Sequence, residues 1–586
     1  MIRKSKRRFL ANKVNNNSDA KTWWKYIKKL TNKVKKSTNT SNTTHLNGNN
    51  IGPTELCNQL NDYFASVGGE PVDAPLGTRS GNNTQCQSLE SVSIGYVKLL
   101  LKRIDVTKAT STEDYPSWIS KEGCEDLCIP IHDIVNSILL HKTYPTMWKR
   151  AEITPVPKVT HPKQLTDYRP ISLLHHIGKL AEQVVIDKMS KCISANISHS
   201  QYAYRKGLST TDALVAAIDD WTAGLDNAAT ECIQTVMLDF SKAFDRLQPA
   251  ILAQKLDKAG LNSNIISIIS SFLSNRYQCV SISGCKSSFL PINVGTPQGT
   301  KLGPILWLFY INDLQATTSG VHLIKYADDS TYYAAIKKKT KKEQAGKNKK
   351  NNIVQKDSIV HTSLLQKEIQ NAEQWSSENR MLLNPKKSVT MALSLTGNGY
   401  GSDIVLNDKV LDNIESSKFL GITIDKRLSF SEHVGLVVRK CSSTLFLLRK
   451  LKVFGVNLHG LKRLYISMIR SVLLYGSQAF YTLLSSKDQS RLESVQRSAT
   501  RVMLPSVEGY EKRLEQLELP KLHDFALALG KGYFLSILHN KEHPLFGRLS
   551  FNNCRRSSRL NSTFKPDNFR TKKRSLSFLQ FEMNRF

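Results

Sequence analysis

The sequence lacks the features that would place it in a membrane or on a secretory route. Its basic start, Met1-Ile-Arg-Lys-Ser-Lys-Arg-Arg, is not followed by an apolar core of the length that a signal peptide needs. The most apolar segment, residues 302–314, is too short to span a bilayer and contains Asn312 and Asp313. We therefore expect an intracellular protein with no membrane partner.

Paired cysteines are also missing. The ten cysteines are scattered, and none forms a Cys-x-x-Cys pair. Cys124 and Cys128 are the most closely spaced, and His132 follows them, but no second Cys/His pair completes a four-ligand zinc site. This pattern favours reduced, mostly buried thiols over disulfides or a zinc centre.

Acidic residues are few beside the basic ones. The chain has 49 Asp and Glu against 82 Lys and Arg, which gives a formal net charge of +33. Such a surplus indicates a polyanionic partner, either nucleic acid or an anionic membrane, and insertion into a membrane is disfavoured. A length of 586 residues predicts about three to four domains or subdomains.

Composition and periodicity divide the chain into five regions. Residues 1–90 are predicted to be a basic linker and helical extension, in which Trp23, Trp24 and Tyr26 share a helix face and the rest is flexible. Residues 91–136 are a helical lead-in, 137–424 a mixed α+β region, 425–510 helical and 511–586 a basic extension. The lysine-rich insert at 337–352 is predicted to be a disordered loop.

Two carboxylates stand in the middle of the α+β region. Tyr326-Ala-Asp-Asp329 lies between runs rich in β-branched and aromatic residues, which predicts a hairpin with Asp328 and Asp329 at its bend. Adjacent like charges repel unless a cation neutralises them, and magnesium prefers such oxygens. Upstream, the buried strand Val236-Met-Leu ends on Asp239, where a charge is costly unless it is paired. A metal ion bound by both Asp239 and Asp328 would neutralise the charge at each position. The alternative is an ordinary acidic turn without a metal ion.

A glycine-rich loop and two cations complete the pattern. Gly295-Thr-Pro-Gln-Gly299 predicts a loop whose backbone approaches a ligand closely. Lys158 follows a short strand, and Pro170 holds Arg169 in an extended conformation. Without further context both cations are read as surface charges.

The strand that ends on Asp239, the Gly295–Gly299 loop and the Asp328–Asp329 hairpin follow one another along the chain. In this order they resemble motifs A, B and C of a reverse transcriptase. Supporting matches are Tyr168-Arg-Pro-Ile-Ser-Leu-Leu, Leu383-Asn-Pro-Lys-Lys-Ser and Phe419-Leu-Gly-Ile-Thr-Ile-Asp. From about residue 20 onward the chain resembles the polymerase of non-LTR (LINE-like) retrotransposons, of the Jockey/CR1 kind. Members carry an endonuclease ahead of the polymerase, so the chain is expected to begin in the connecting region, as a fragment or a truncated genomic copy.

The resemblance implies an α+β right-hand polymerase, with fingers, a palm built on an antiparallel sheet, a thumb, and helical N- and C-terminal extensions. Residues 137–424 would form fingers and palm, and 425–510 the thumb. The implied activity is RNA-directed DNA synthesis by two-metal nucleotidyl transfer, with two Mg²⁺ ions and Mn²⁺ as a substitute. The implied partners are an RNA template, a DNA primer or target and deoxynucleoside triphosphates, and the implied location is the nucleus.

The resemblance also implies a role for each matched position. The metal ligands and catalytic carboxylates would be Asp239, Asp328 and Asp329, and Lys387 would be a general acid. The nucleotide would contact Lys158, Arg169, Phe244 as the sugar gate, Gln298 and Gly299. The primer grip would be Phe419, Leu420 and Gly421.

Two other interpretations remain at this point. A decayed element would leave a catalytically silent protein that still binds nucleic acid; the three intact aspartates argue against it. An intron maturase or an RNA-dependent RNA polymerase shares the right-hand plan; the aromatic at Phe244 and the thumb sequence weigh against both.

Overall fold

The computed structural model describes residues 2–16, 19–30, 44–46, 49–72, 89–338, 364–396, 401–551, 564 and 569–585. Its helices are α1 Ile2–Asn15, α2 Ala20–Leu30, α3 Pro53–Ser66, α4 Ile94–Lys102, α5 Ser117–Glu122, α6 Cys124–His141, α7 His176–Asn196, α8 Thr210–Asp226, α9 Pro249–Lys258, α10 Ser263–Leu273, α11 Leu302–Tyr310, α12 Leu364–Glu378, α13 Ser431–Val453, α14 Leu458–Leu464, α15 Ser471–Leu473, α16 Ser477–Phe480, α17 Ser486–Met503, α18 Tyr510–Gln516, α19 Leu522–Leu538, α20 Lys572–Ser575 and α21 Phe578–Met583. Its strands are β1 Thr44–Leu46, β2 Asn49–Ile51, β3 Arg150–Pro157, β4 Tyr168–Leu173, β5 Thr230–Leu238, β6 Arg276–Ile282, β7 Cys285–Lys286, β8 Leu290–Ile292, β9 Val321–Tyr326, β10 Asp329–Lys337, β11 Val389–Leu393, β12 Val405–Leu406, β13 Lys409–Val410, β14 Asp412–Asn413, β15 Ser416–Phe419 and β16 Ile422–Asp425.

The central sheet has the strand order β14-β11-β5-β10-β9. Its middle strand, β5, is almost entirely buried and pairs antiparallel with both β10 and β11, as expected for a continuous apolar run covered on both faces. Ser330 lies opposite Leu238 in the β5–β10 ladder. Since Asp239 follows Leu238 and Asp329 precedes Ser330, the register brings the predicted carboxylates to the same end of the sheet.

A second sheet, of order β4-β3-β6-β7 with β8 paired to β6, carries the predicted cations. β3 and β4 are antiparallel, with Val156 opposite Arg169. Lys158 lies two residues beyond Val156, so Lys158 and Arg169 lie at the same end of this hairpin. The predicted α+β fold with a largely antiparallel central sheet is thus confirmed.

The N-terminal residues are more ordered than the composition suggests. The aromatic helix is confirmed as α2, with Trp23 1% exposed, but the expectation that the remaining described residues are flexible is wrong, because α1 precedes it. Asn15 exchanges hydrogen bonds with the backbone of Gly455 and Asn457, and the Arg463 guanidinium lies 5.1 Å from the Trp23 ring centroid. These apolar and polar contacts hold the N-terminal helices against α14.

The basic C-terminal residues are also used inside the protein. Arg548 forms an ion pair with Asp220, and Arg574 with Asp219, both acids lying on α8. The backbone N–H of Arg570 donates to Asp226 at the end of the same helix, over 3.1 Å. A single apolar cluster joins the N-terminal helices, α8, the helices beyond residue 430 and the C-terminal helices. The C-terminal extension therefore packs against α8 and the helices beyond residue 430.

Further structural details concern one helix, the cysteines, the lysine-rich insert and the possibility of a membrane span. The helix that follows the glycine loop, α11, ends at Tyr310. The eight described cysteines are free, and each is buried or half-buried. Most of the lysine-rich insert, residues 339–352, lies outside the described residues. Among the described helices, none is long and apolar enough to cross a membrane.

Candidate active site

A cleft of about 460 Å³ opens between the β3–β4 hairpin and the end of the central sheet. Eight of the predicted site residues line it together: Lys158, Arg169, Asp239, Phe244, Gln298, Gly299, Asp328 and Lys387. The sequence separates the first and last of these by more than two hundred positions. The structure therefore brings the predicted metal-binding and nucleotide-binding groups into one space.

Asp239 is held in place through its backbone. Its N–H donates to Ser388 Oγ over 3.1 Å, and its carbonyl accepts from the N–H of Asn384 over 2.9 Å. Its Oδ2 is buried with no hydrogen-bond partner among the described residues and lies 3.7 Å from Lys387 Nζ. A fixed carboxylate with a free buried oxygen suits a metal ligand.

The Asp328–Asp329 hairpin has a two-residue turn with Ala327 at φ +58°. Gln201 supports this strained position, because its Oε1 accepts from the Ala327 N–H over 3.1 Å and its Nε2 donates to the Ala327 carbonyl. Successive side chains at a strand start point to opposite faces. Asp328 accordingly lines the main cleft, whereas Asp329 lines a neighbouring cleft of about 400 Å³.

The two hairpin carboxylates have raised pKa values. Desolvation is the first cause at both, and it raises the pKa of Asp329 to about 6, helped by the charges of Asp328 and Asp239. Such a shift means that the ionised carboxylate is disfavoured in the folded protein. A bound cation would offset the unfavourable energy of that charge.

Asp329→Asn should raise the melting temperature of the metal-free protein at pH 7.5, by about 1–2 °C. The folded pKa of about 6 exceeds the ordinary value of 3.8, so the cost of the ionised side chain is full above pH 6. This cost decreases gradually as the pH falls from 6 and is lost only below pH 3.8, so the effect at pH 5 should be smaller than at pH 7.5. Thermal unfolding at pH 7.5 and pH 5 with and without Mg²⁺ measures it. An equal effect at both pH values, or one unaltered by Mg²⁺, would contradict the assignment. Asp408→Asn, in the exposed β12–β13 turn, is the control.

Four cations face the carboxylates in the main cleft: Lys158, Arg169, Lys242 and Lys387. Burial lowers the pKa of Lys158 and of Lys242, and neighbouring cations lower both further. Lys242 Nζ is buried without a hydrogen-bond partner among the described residues, 4.6 Å from the Tyr63 ring centroid. Crowded, partly desolvated cations of this kind suit a polyanionic ligand.

Sequence reasoning missed Lys242 and Asp245. Both line the cleft, and Lys242 adopts a left-handed conformation, φ +56°, which turns the chain after Asp239. Asp245 accepts a 2.9 Å hydrogen bond from Gln298 Nε2. Both residues belong to the segment Asp239-Phe-Ser-Lys-Ala-Phe-Asp245, which resembles motif A. That resemblance could have identified them as site residues.

The glycine loop is pressed against its neighbours. A Cβ on Gly299, at φ +124°, would lie 2.8 Å from the Ser172 carbonyl oxygen, and one on Gly295 would lie 2.6 Å from the Asp245 carbonyl oxygen. The Ser172 N–H donates to the Gln298 carbonyl over 2.8 Å. Only glycine fits these two positions, and the loop forms one wall of the cleft.

The residues predicted as the primer grip divide into two environments. Phe419 is buried, with its ring centroid 5.6 Å from that of Trp221. Leu420 and Gly421 have positive φ and line the neighbouring cleft with Asp329. Tyr475 donates a 3.0 Å hydrogen bond to the Leu420 carbonyl. Phe419 therefore anchors the hairpin, and the two residues after it face the cleft.

Comparison with known proteins agrees with this geometry. Residues 156–424 match the family model described as reverse transcriptase (RNA-dependent DNA polymerase). The RNA-directed DNA polymerase from mobile element jockey of Drosophila melanogaster is 27% identical over 398 residues, covering 66% of this chain and 39% of that protein. The probable RNA-directed DNA polymerase from transposon BS of the same species is 26% identical over 383 residues, covering 63% and 40%.

The chain thus spans about two fifths of the length of the curated relatives it matches. Among solved structures, a telomerase from Candida albicans in complex with a fragment of telomeric RNA aligns with a TM-score of 0.34 and 11% identity, covering 70% of this chain and 71% of that one. Residues 156–424 are thus similar to reverse transcriptases, and the chain is similar to RNA-directed DNA polymerases of jockey-like mobile elements.

Proposed function

We propose that the chain acts as an RNA-directed DNA polymerase of a non-LTR retrotransposon, extending a DNA primer on an RNA template with deoxynucleoside triphosphates. The observation that carries the proposal is the main cleft, in which the strand-end carboxylates Asp239 and Asp328 face four cations. The DNA target of such an element is chromosomal, which places the reaction in the nucleus. The division into fingers and palm at 137–424 and thumb at 425–510 belongs to the same proposal.

Asp239 and Asp328 are the residues that would hold divalent ions, with Asp329 contributing from the adjacent face. The fit rests on the buried, unpartnered Oδ2 of Asp239 and on the raised pKa values of the hairpin pair. An all-oxygen donor set suits Mg²⁺, with Mn²⁺ as a substitute. Two such ions, when bound, promote ionisation of the primer 3′-hydroxyl and neutralise charge on the leaving pyrophosphate.

The protein's own cations bind the triphosphate. Lys158 and Arg169 approach from the β3–β4 hairpin and Lys242 from the turn after Asp239, and each gains a charge-assisted contact when an anion enters. Lys387, beside Asp239 and well exposed, is positioned to protonate the pyrophosphate as a general acid. Gln298 and Gly299 form the loop beneath the nucleotide, and Leu420 and Gly421 hold the primer end near Asp329.

Phe244 is proposed as the sugar gate. Its half-buried ring lines the cleft and packs 5.4 Å from the Trp307 ring centroid, so it is a fixed wall. Phe244→Val should increase ribonucleotide use relative to deoxynucleotide use by roughly 10- to 100-fold, the discrimination that steric contacts in an apolar pocket provide. Single-nucleotide kcat/KM ratios measure it. Phe446→Val, at an exposed phenylalanine of α13, should leave the ratio unchanged; unaltered selectivity in Phe244→Val would remove the gate assignment.

Primer extension by the full chain tests the proposed function against its alternatives. One DNA primer is annealed to RNA and to DNA templates of the same sequence, and each duplex receives deoxynucleotides or ribonucleotides with Mg²⁺. We expect extension on RNA with deoxynucleotides that stops when Mg²⁺ is chelated. Binding of the duplex without extension would instead indicate the silent remnant, and preferential use of ribonucleotides would indicate an RNA polymerase.

A further inference from the structure

A second group of metal-binding side chains lies in the fingers, and none of its members lines the main cleft. Asp114, in the loop between α4 and α5, meets His175 and His176 at the start of α7, and their ligand atoms all lie within 4.8 Å of one another. The side chain of Asp114 is fully buried, that of His176 is 6% exposed and that of His175 is 27% exposed. The group has the residue types of a metal site but no role in the proposed polymerase reaction.

The Asp114 carboxylate is only partly satisfied by hydrogen bonds. Its Oδ2 accepts from the backbone N–H of His176 over 2.9 Å and lies 2.7 Å from His176 Nδ1. Its Oδ1 lies 3.0 Å from His175 Nε2, yet the oxygen is buried and has no properly oriented hydrogen-bond donor among the described residues. A buried carboxylate oxygen that lies 3.0 Å from an imidazole nitrogen without a well-directed hydrogen bond can share a cation with that nitrogen.

The charge at this position also calls for a cation. The Asp114 side chain is fully buried, and a buried carboxylate is costly unless it is paired. Within the described residues, the ion-pair contacts of Asp114 are with the two histidines, and no lysine or arginine lies within 4 Å of it.

Outer contacts orient both rings. His176 Nε2 lies 2.8 Å from Ser120 Oγ, which in turn lies 2.7 Å from the Tyr115 hydroxyl. In this structure Nδ1–H donates to Asp114 Oδ2 over 2.7 Å. A metal ion would replace that proton, and donation from Nε2–H to Ser120 would then fix the imidazole tautomer. The His175 ring stacks on His176 and on Trp148, with centroids 5.4 Å and 5.7 Å apart.

We propose that Asp114, His175 and His176 bind one divalent transition-metal ion of the zinc class. Two imidazole nitrogens and one carboxylate oxygen suit Zn²⁺ rather than Mg²⁺, and three protein ligands leave one tetrahedral position to water. The ion ties the loop before α5 to the start of α7, which follows directly from β4, the strand that presents Arg169. Its role is to hold the base of that strand, independently of the ions at Asp239 and Asp328.

Cobalt titration of the metal-stripped full chain tests this site. We expect one equivalent of Co²⁺ to bind with the visible absorption of a four-coordinate ion, without the near-ultraviolet band of a thiolate ligand, and to be displaced by Zn²⁺. Zn²⁺ should also raise the melting temperature. His175→Ala and His176→Ala should lose the band, whereas Asp328→Asn and His132→Ala should keep it; His132 contacts Asp133 over 2.9 Å on α6 and is the matched control.

The proposal is overturned if the wild-type protein gives no stoichiometric band, if the band persists in His175→Ala, or if it carries thiolate character. His175→Ala decides the matter should His176→Ala fail to fold, because the His175 side chain is partly exposed and its Nδ1 has no hydrogen-bond partner among the described residues.

Discussion

Asp328→Asn should lower the rate of deoxynucleotide addition by about a thousandfold or more. The substitution keeps the side-chain volume but removes a charged oxygen from the main cleft. A metal ion contributes several kcal/mol of transition-state stabilisation, and each 1.4 kcal/mol corresponds to about tenfold in rate. The measurement is single-turnover addition of one templated deoxynucleotide at saturating Mg²⁺.

The affinity of the variant for the primer–template duplex should stay within about twofold, because the four cations of the cleft and the thumb surface are unaltered. Asp408→Asn, in an exposed turn of the same domain, should retain the full rate. A rate for Asp328→Asn within tenfold of wild type, with both proteins folded, would show that this carboxylate is not a metal ligand of the reaction.

Arg574→Met should destabilise the whole protein by about 3 kcal/mol. The change keeps an unbranched side chain of similar length but leaves Asp219, a buried acid on α8, without its main partner. Removing one member of a buried ion pair costs about 3–5 kcal/mol, and the lower figure applies because Arg548 Nη1 remains 3.6 Å from Asp219. Urea unfolding followed by circular dichroism measures the loss.

Lys572→Met provides the matched control for Arg574→Met. Lys572 lies on the same short helix, α20, but is exposed, so its loss should change stability by less than about 0.5 kcal/mol. Equal stabilities of the two variants would mean that the C-terminal residues do not pack on α8. Loss of polymerase activity in Arg574→Met at temperatures where Lys572→Met is active would connect this packing to the palm.

Much of the main cleft follows from local sequence. Three features could each be recognised within about a dozen residues: the apolar run that ends on Asp239, the glycine loop before a helix, and the acidic hairpin. Strand burial, left-handed glycines and turn formation depend mainly on local sequence. The register of the antiparallel sheet then brings the strand end at Asp239 and the acidic hairpin close together. The convergence of Lys158 and Arg169 on that point needed the family resemblance, since two surface cations in neighbouring strands look alike from sequence.

The remaining features depend on contacts between distant parts of the chain. Nothing near Asp219 indicates a partner 355 positions away, and the sequence described the C-terminal segment only as a basic extension. The contact between Trp23 and Arg463 likewise joins residues that are far apart in the sequence. Asp114 and the two histidines are separated by the whole of α5, α6 and β3, so no motif spacing reveals their cluster. Such pairings appear only once the fold is assembled.

Addition of a single templated deoxynucleotide by the wild-type full chain is the most direct measurement of the proposed activity. The substrate is a DNA primer on an RNA template, with each of the four template bases presented in turn and Mg²⁺ as the metal. We expect the primer to gain one nucleotide, complementary to the template base in each case, and no product after chelation. A folded protein that binds the duplex and adds no nucleotide, or adds one regardless of the template base, would contradict the assignment of the cleft as a polymerase centre.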